Sequence, residues 1–194
     1  MVLTGTEDLR VQKTVGAIQE TFKQLLLEKP YEKITVRELC ERARINKKTF
    51  YRYYETLDYL LAELQGTYRD AYLARTRDLR VPEDTEAITH EFVLFSCGQD
   101  EVYERITCDP SLARIQRAMT EGVLASRRFD ESAFSGVPEG EASLLVTFVQ
   151  TVPLTLYRRW VADGKPLAPE RLADIACTLV LGGMHGLARG GGAR

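Results

Sequence analysis

Two helix starts and two apolar stripes are packed into the twenty residues from Thr35 to Tyr54, TVRELCERARINKKTFYRYY, and this stretch limits the fold more than any other. In its first half Val36, Leu39, Cys40 and Ala43 recur at i, i+3, i+4 and i+7, one face of a helix, with Arg37, Glu38, Glu41 and Arg42 outside it. Thr35 is a capping residue, and Glu38 three positions on predicts a reciprocal capping box that satisfies two exposed backbone donors. The second half starts at Asn46, again a capping residue. A helical wheel from Lys47 to Tyr54 puts Phe50 and Tyr54 on one side and Lys47, Lys48, Tyr51 and Arg52 on the other, with Thr49 and Tyr53 on the flanks.

Two short helices joined through Arg44 and Ile45, with one apolar residue in the turn to pin them, fit a helix-turn-helix whose second helix enters the major groove of DNA. The outward face has the chemistry for it. The helix N-terminus and the lysine ammonium groups attract phosphate, tyrosine hydroxyls donate to phosphate oxygens, and an aromatic ring packs on a thymine methyl. A solvated helical pair with ordinary surface charge is the competing reading. Residues 1 to 55 hold 11 Lys+Arg against 8 Asp+Glu, and the rest 15 against 20, within an overall charge of −2. The acidic remainder is not the part expected to touch nucleic acid.

The run ITVRELCERARINKKTFYRYYETLDYLL, above all TFYRYY followed by a helix capped at Thr56, resembles the DNA-binding domain of the TetR/AcrR family of bacterial one-component regulators. With the preceding helix the resemblance covers about residues 10 to 62. It implies that Thr35 lies on a phosphate and Arg37 near a base edge, that Lys47, Lys48, Tyr51 and Arg52 face the groove, and that Thr49 and Tyr53 hold the backbone. Two positions depart from the family's pattern. Arg44 stands where members usually place glycine, so the turn is either strained or different. Leu57 stands where many members have a phosphate-binding lysine.

The whole chain of 194 residues reads as all-α, with about nine helices. After ten loose polar residues, Val11, Val15, Ile18, Phe22 and Leu25 predict a first helix closed by Lys29 and Pro30. Thr56 caps a long linking helix, apolar at Leu57, Leu60, Leu61, Leu64, Tyr68, Ala71 and Tyr72 and running to about Asp78. A fifth helix carries Ile88, Phe92, Val93 and Phe95 and ends at Gly98, and a short one follows around Val102 to Ile106. Asp109 and Pro110 start a helix toward Arg128, and residues 129 to 141 have the composition of a loop. From Glu141 to Asp163 a wide apolar arc surrounds Pro153, which predicts a kinked helix. A last helix carries Leu172, Ile175, Ala176, Leu179 and Val180, before an ending, ARGGGAR, too glycine-rich to be ordered by itself.

The expected division is a three-helix DNA-binding domain over residues 1 to 55 and a helical effector-binding and dimerisation domain over 56 to 194, with 56 to 78 as the link. The last two helices resemble the pair that forms a four-helix dimer interface in TetR-like proteins. That likeness places Leu145, Val149, Val152, Leu156, Trp160, Leu172, Ile175 and Leu179 at a homodimer contact and implies an inverted-repeat operator. An ordinary core hairpin is the other reading of this pair. The resemblance also implies a small-molecule effector pocket, with Tyr68, Tyr72, His90, Phe92, Phe95, Tyr103, Met119, Phe148 and Tyr157 as candidates that equally suit plain core. His90, beside Glu91, is expected as a satisfied buried histidine. The linking helix is the implied lever between effector and DNA.

Other chemistries find little material. Cys40, Cys97, Cys108 and Cys177 are widely spaced and only His90 and His185 offer imidazole, so buried reduced thiols are expected, with no metal and no cofactor. No Ser/His/Asp set, glycine-rich phosphate loop or paired histidines point to an enzyme. No apolar run reaches membrane-spanning length and MVLTGTEDLR lacks a signal peptide's hydrophobic region, which predicts a cytoplasmic protein. The alternative to an operator-binding repressor is a TetR-like adaptor or coactivator that acts by binding a protein or metabolite.

Overall fold

The computed structural model describes residues 8–112 and 139–190, and every regular element there is helical. The helices are α1 Leu9–Glu28, α2 Val36–Arg42, α3 Lys47–Tyr53, α4 Leu57–Arg75, α5 Thr85–Cys97, α6 Glu101–Cys108, α7 Glu139–Ala162 and α8 Pro169–Gly190, with 3-10 turns at Tyr31–Lys33 and Pro110–Leu112. They sort into two compact units. The first takes the chain to Asp70 and resumes at Asp100, and the second holds Ala71–Gln99 and the later helices.

In the first unit α1 is the spine. Asp8 caps it, accepting from the Arg10 N–H at 2.9 Å, so the helix starts two residues before the apolar stripe does. Val15, Ile18, Phe22, Leu25 and Leu26 are fully buried against Leu39 and Cys40 of α2, Phe50 of α3 and Leu60, Leu61 and Leu64 of α4. The same cluster contains Val102 and Ile106 of α6 and Leu112 beyond it. The unit therefore continues past residue 55. Lengths explain why: α1 has 20 residues, about 30 Å, whereas α2 and α3 have 7 each, about 10 Å, and cannot cover its stripe. The first half of α4 and α6 cover the rest.

Half of the expected capping box forms. The Thr35 hydroxyl accepts from the Glu38 N–H at 3.2 Å, but the Glu38 carboxylate turns to Lys29 Nζ at 2.7 Å and to Arg42 at 3.6 Å. An ammonium group is a stronger partner for a carboxylate than a backbone amide. Arg42 also reaches Glu28 at 2.7 Å, so four charges brace α2 against the end of α1. The linking helix α4 stops at Arg75 rather than near Asp78, where the Thr76 N–H and hydroxyl both return to the Tyr72 carbonyl at 3.2 Å.

In the second unit α5, α7 and α8 pack on one another, burying Ile88, Val93 and Phe95, then Val149, Tyr157 and Trp160, then Leu172, Ala176 and Val180. The Cys177 thiol donates to the Glu86 carbonyl at 3.6 Å, and Trp160 Nε1 to that of Leu167 at 2.9 Å. Helix α7 is continuous through the buried Pro153. Gly164 at φ 77° and Lys165 at φ 60° turn the chain, and the Lys165 N–H closes the turn on the Trp160 carbonyl at 2.8 Å. Helix α8 runs to Gly190, into the ending expected to be unordered, because its buried stripe at Ala173, Ala176 and Val180 anchors the turns before it. His90 is exposed, not buried, since Ile88 and Thr89 take the inward face of α5. The helix expected from Asp109 to Arg128 lies outside the described residues beyond Leu112, as does residues 129–138 of the expected loop, and α7 has already begun at Glu139.

Candidate nucleic-acid interface

The geometry of the turn decides how α3 is presented. Arg44 has φ 53°, in the left-handed region, so the strained alternative at this position is the one realised. Its N–H bonds the Glu41 carbonyl at 3.3 Å and that of Ile45 bonds Cys40 at 3.0 Å, the paired bonds of a Schellman helix end. Ile45 then packs its side chain against the core cluster, which pins the turn. Replacing Arg44 with glycine is expected to raise stability by about 0.5 to 1 kcal/mol, the left-handed penalty less the entropy of glycine. Thermal unfolding checks it, and a fall in melting temperature would contradict the strain.

Helix α3 has seven residues and is held at its start by Asn46, whose Oδ1 accepts from the Thr49 N–H at 2.7 Å and from the Thr49 hydroxyl at 3.0 Å. Phe50 is fully buried and Tyr54, the C-cap, is 2% exposed. Their burial sets which side of the helix faces inward and turns Lys47, Lys48, Tyr51 and Arg52 outward. Tyr51 is 55% exposed, its ring edge-on to Phe50 at 5.4 Å. Among the described residues Lys47 and Lys48 form no ion pair, and the Arg52 guanidinium lies over the Tyr53 ring at 5.9 Å. The face read from the sequence is thus assembled and open.

At the start of α2 the Thr35 side chain is exposed, with its hydroxyl proton free to donate while its oxygen caps the helix. Arg37 is less free: Glu41 holds it at 2.8 Å, and that hydrogen bond raises the guanidinium pKa. Replacing Glu41 with alanine is expected to release Arg37, remove a negative charge from the same face and raise duplex affinity about fivefold at low salt. An unchanged dissociation constant in a titration would show that Arg37 does not reach DNA. Leu57 is half-buried against the core cluster, so the first turn of α4 gives packing where a lysine would give a phosphate contact. Beside it Asp58 accepts from the Tyr31 hydroxyl.

One constellation was not singled out from the sequence. Tyr54 donates to Glu63 Oε1 of α4 at 2.7 Å, and Gln19 Nε2 of α1 donates to the same oxygen at 2.8 Å while lying 3.3 Å from the Tyr54 hydroxyl. The three positions are 44 residues apart at the extremes, so no local period marks them.

Residues 20–64, which contain α2, α3 and the turn, match the family model for bacterial regulatory proteins of the tetR family. This is a TetR-family domain. The fold of the longer chain is that of TetR-type regulators as well. It is similar to a TetR transcriptional regulator from Streptococcus agalactiae 2603V, with a TM-score of 0.65 at 23% identity over 88% of this chain and 95% of that one. It is also similar to the transcriptional regulator FadR from Bacillus subtilis in complex with stearoyl-CoA, with a TM-score of 0.61 at 15% identity over 88% and 97%. A third likeness is to the fatty acid degradation regulator FadR from Bacillus halodurans, 0.59 at 16% identity over 91% and 96%. No curated protein matches the chain.

Outside the TetR-family domain the candidate residues separate. Tyr68 and Tyr103 belong to the first unit, their rings 5.1 Å apart, and the Tyr68 hydroxyl donates to Asp100 at 2.7 Å. In the second unit Tyr72 meets Phe92 at 5.7 Å and Phe95 at 5.6 Å, and Tyr157 meets Trp160 at 6.1 Å. Phe148 is half-buried over Gly183, where a Cβ would come within 2.5 Å of its ring. Met119 lies outside the described residues. Of the residues expected at a dimer contact, Val149, Trp160 and Leu172 are taken up in the unit's own core. Leu145, Val152, Leu156 and Ile175 remain half-buried and Leu179 is 49% exposed. No helix of the described residues is long and apolar enough to cross a membrane.

Proposed function

We propose that this chain is a non-catalytic, cytoplasmic transcriptional repressor that binds an inverted-repeat operator as a homodimer and releases it when a small molecule binds the second unit. The observation that carries the reading is the outward face of α3, where Lys47, Lys48, Tyr51 and Arg52 stand exposed on a helix pinned at both ends. Lys47 and Lys48 supply phosphate attraction, Tyr51 and Arg52 reach base edges, and Thr35, Thr49 and Tyr53 fix the register on the backbone. A dimer is supported by the apolar surface left over on α7 and α8, at Leu144, Leu145, Val152, Leu156, Ile175 and Leu179. Two copies related by a two-fold axis set their recognition helices about 34 Å apart, the spacing of successive major grooves. For the effector, the aromatic residues Tyr72, Phe92, Phe95 and Tyr157 of the second unit suit an apolar molecule, and the similar FadR from Bacillus subtilis is described in complex with stearoyl-CoA.

The test is selection of bound duplexes from a random pool by the purified protein, with the mass of the complex measured by sedimentation. Enrichment of an inverted repeat bound by two chains is the expected result. Failure to enrich any sequence would refute operator reading and leave the adaptor, a chain that binds protein or metabolite through the same fold.

A further inference from the structure

A two-turn helix cannot set its own orientation, because it is too short to be stable alone and takes its direction from what it packs against. Burial of Phe50 and of the Tyr54 ring sets which side of α3 faces inward, but apolar contact is non-directional and sets the roll only coarsely. Roll matters for base reading. Side-chain tips lie about 5 to 6 Å from a helix axis, so a 20° roll displaces Lys47, Tyr51 and Arg52 by about 2 Å. That exceeds the tolerance of a hydrogen bond to a base edge, while a phosphate attraction over several ångströms survives it.

We propose that the partly buried triangle of Gln19, Tyr54 and Glu63 is the positioning device that fixes the roll of α3 and thereby its discrimination between DNA sequences. Tyr54 is the C-cap of α3, and its hydroxyl reaches past the apolar layer to Glu63 Oε1 at 2.7 Å. Gln19 Nε2 donates to that same oxygen at 2.8 Å and lies 3.3 Å from the Tyr54 hydroxyl, so the three groups close on one another. One directional bond to a charged acceptor therefore ties the last residue of the recognition helix to α4, and a second ties that acceptor to α1. Burial, and after it the Glu63 carboxylate, push the Tyr54 pKa upward, so the hydroxyl stays a donor through the physiological range. Asn46 holds the other end of the helix, and the two fixed ends leave a single roll.

The inference rests on the DNA-reading function proposed above, and the experiment separates the two. Wild type and Tyr54→Phe are titrated against the selected duplex and a scrambled duplex over a range of salt. The expected result is at least a tenfold fall in the ratio of specific to non-specific affinity for Tyr54→Phe. Its non-specific affinity and salt slope stay within twofold of wild type, since the phosphate contacts remain. A merely structural role would lower the folded fraction and weaken both duplexes equally, which overturns the proposal, as does an unchanged ratio. Should Tyr54→Phe fail to fold, Gln19→Ala decides in the same assay: a ratio within twofold of wild type overturns the proposal and a clear fall supports it. If wild type selects no sequence, the DNA-reading function falls, and with it this role for the triangle.

Discussion

Alanine at Lys47, Lys48 and Tyr51 together is expected to weaken binding to the selected duplex by roughly 100- to 1,000-fold, with the protein still folded. Two lost phosphate contacts should flatten the log–log dependence of affinity on salt by about 1.8 per bound chain, and the lost tyrosine removes about 1 to 3 kcal/mol of base discrimination. All three side chains are exposed on α3, so the effect on thermal stability should stay within about 0.5 kcal/mol. Titrations at several salt concentrations beside a melting curve check both halves. An unchanged slope would mean that another surface faces the duplex.

Phe50→Ala is expected to give the opposite pattern. Phe50 is fully buried among α1, α2 and α4, and truncating such a ring costs about 3 to 5 kcal/mol, a large part of the roughly 5 to 15 that holds a domain together. DNA binding should vanish because α3 loses its seat, although no groove-facing group has been touched. Circular dichroism should show an early unfolding transition for the first unit. A melting temperature within a few degrees of wild type would show that the site collapses to fill the gap and that Phe50 is not the anchor of the recognition helix.

The face of α3 was legible because every determinant is local: Asn46 caps, Phe50 points in, and Lys47, Lys48, Tyr51 and Arg52 point out at helical spacing. The turn was half legible, since a missing glycine flags Arg44 but only the backbone tells strain from a changed turn. What escaped depends on partners distant in sequence. Glu38 abandons the Thr35 backbone for Lys29, at the end of another helix, and Tyr54 looks like core until Glu63 and Gln19 are seen around its hydroxyl. His90 shares a helix with the buried Ile88 and Thr89, and which of three neighbouring residues faces inward depends on where α7 and α8 lie. The dimer candidates divided for the same reason, with Trp160 drawn inward by the Leu167 carbonyl and Leu179 left outside.

The membership of α6 in the first unit bears on how such proteins can be recombined. Val102, Ile106 and Leu112 come from a stretch that begins thirty residues after the unit's first segment ends at Asp70, yet they close the same core as Phe22 and Leu61. A graft of residues 8–70 onto a foreign sensor would leave that side of α1 greasy and bare, and such a hybrid should aggregate. Swapping has to carry the α6 segment along, so the first unit can be moved only with a piece of chain that follows Gln99.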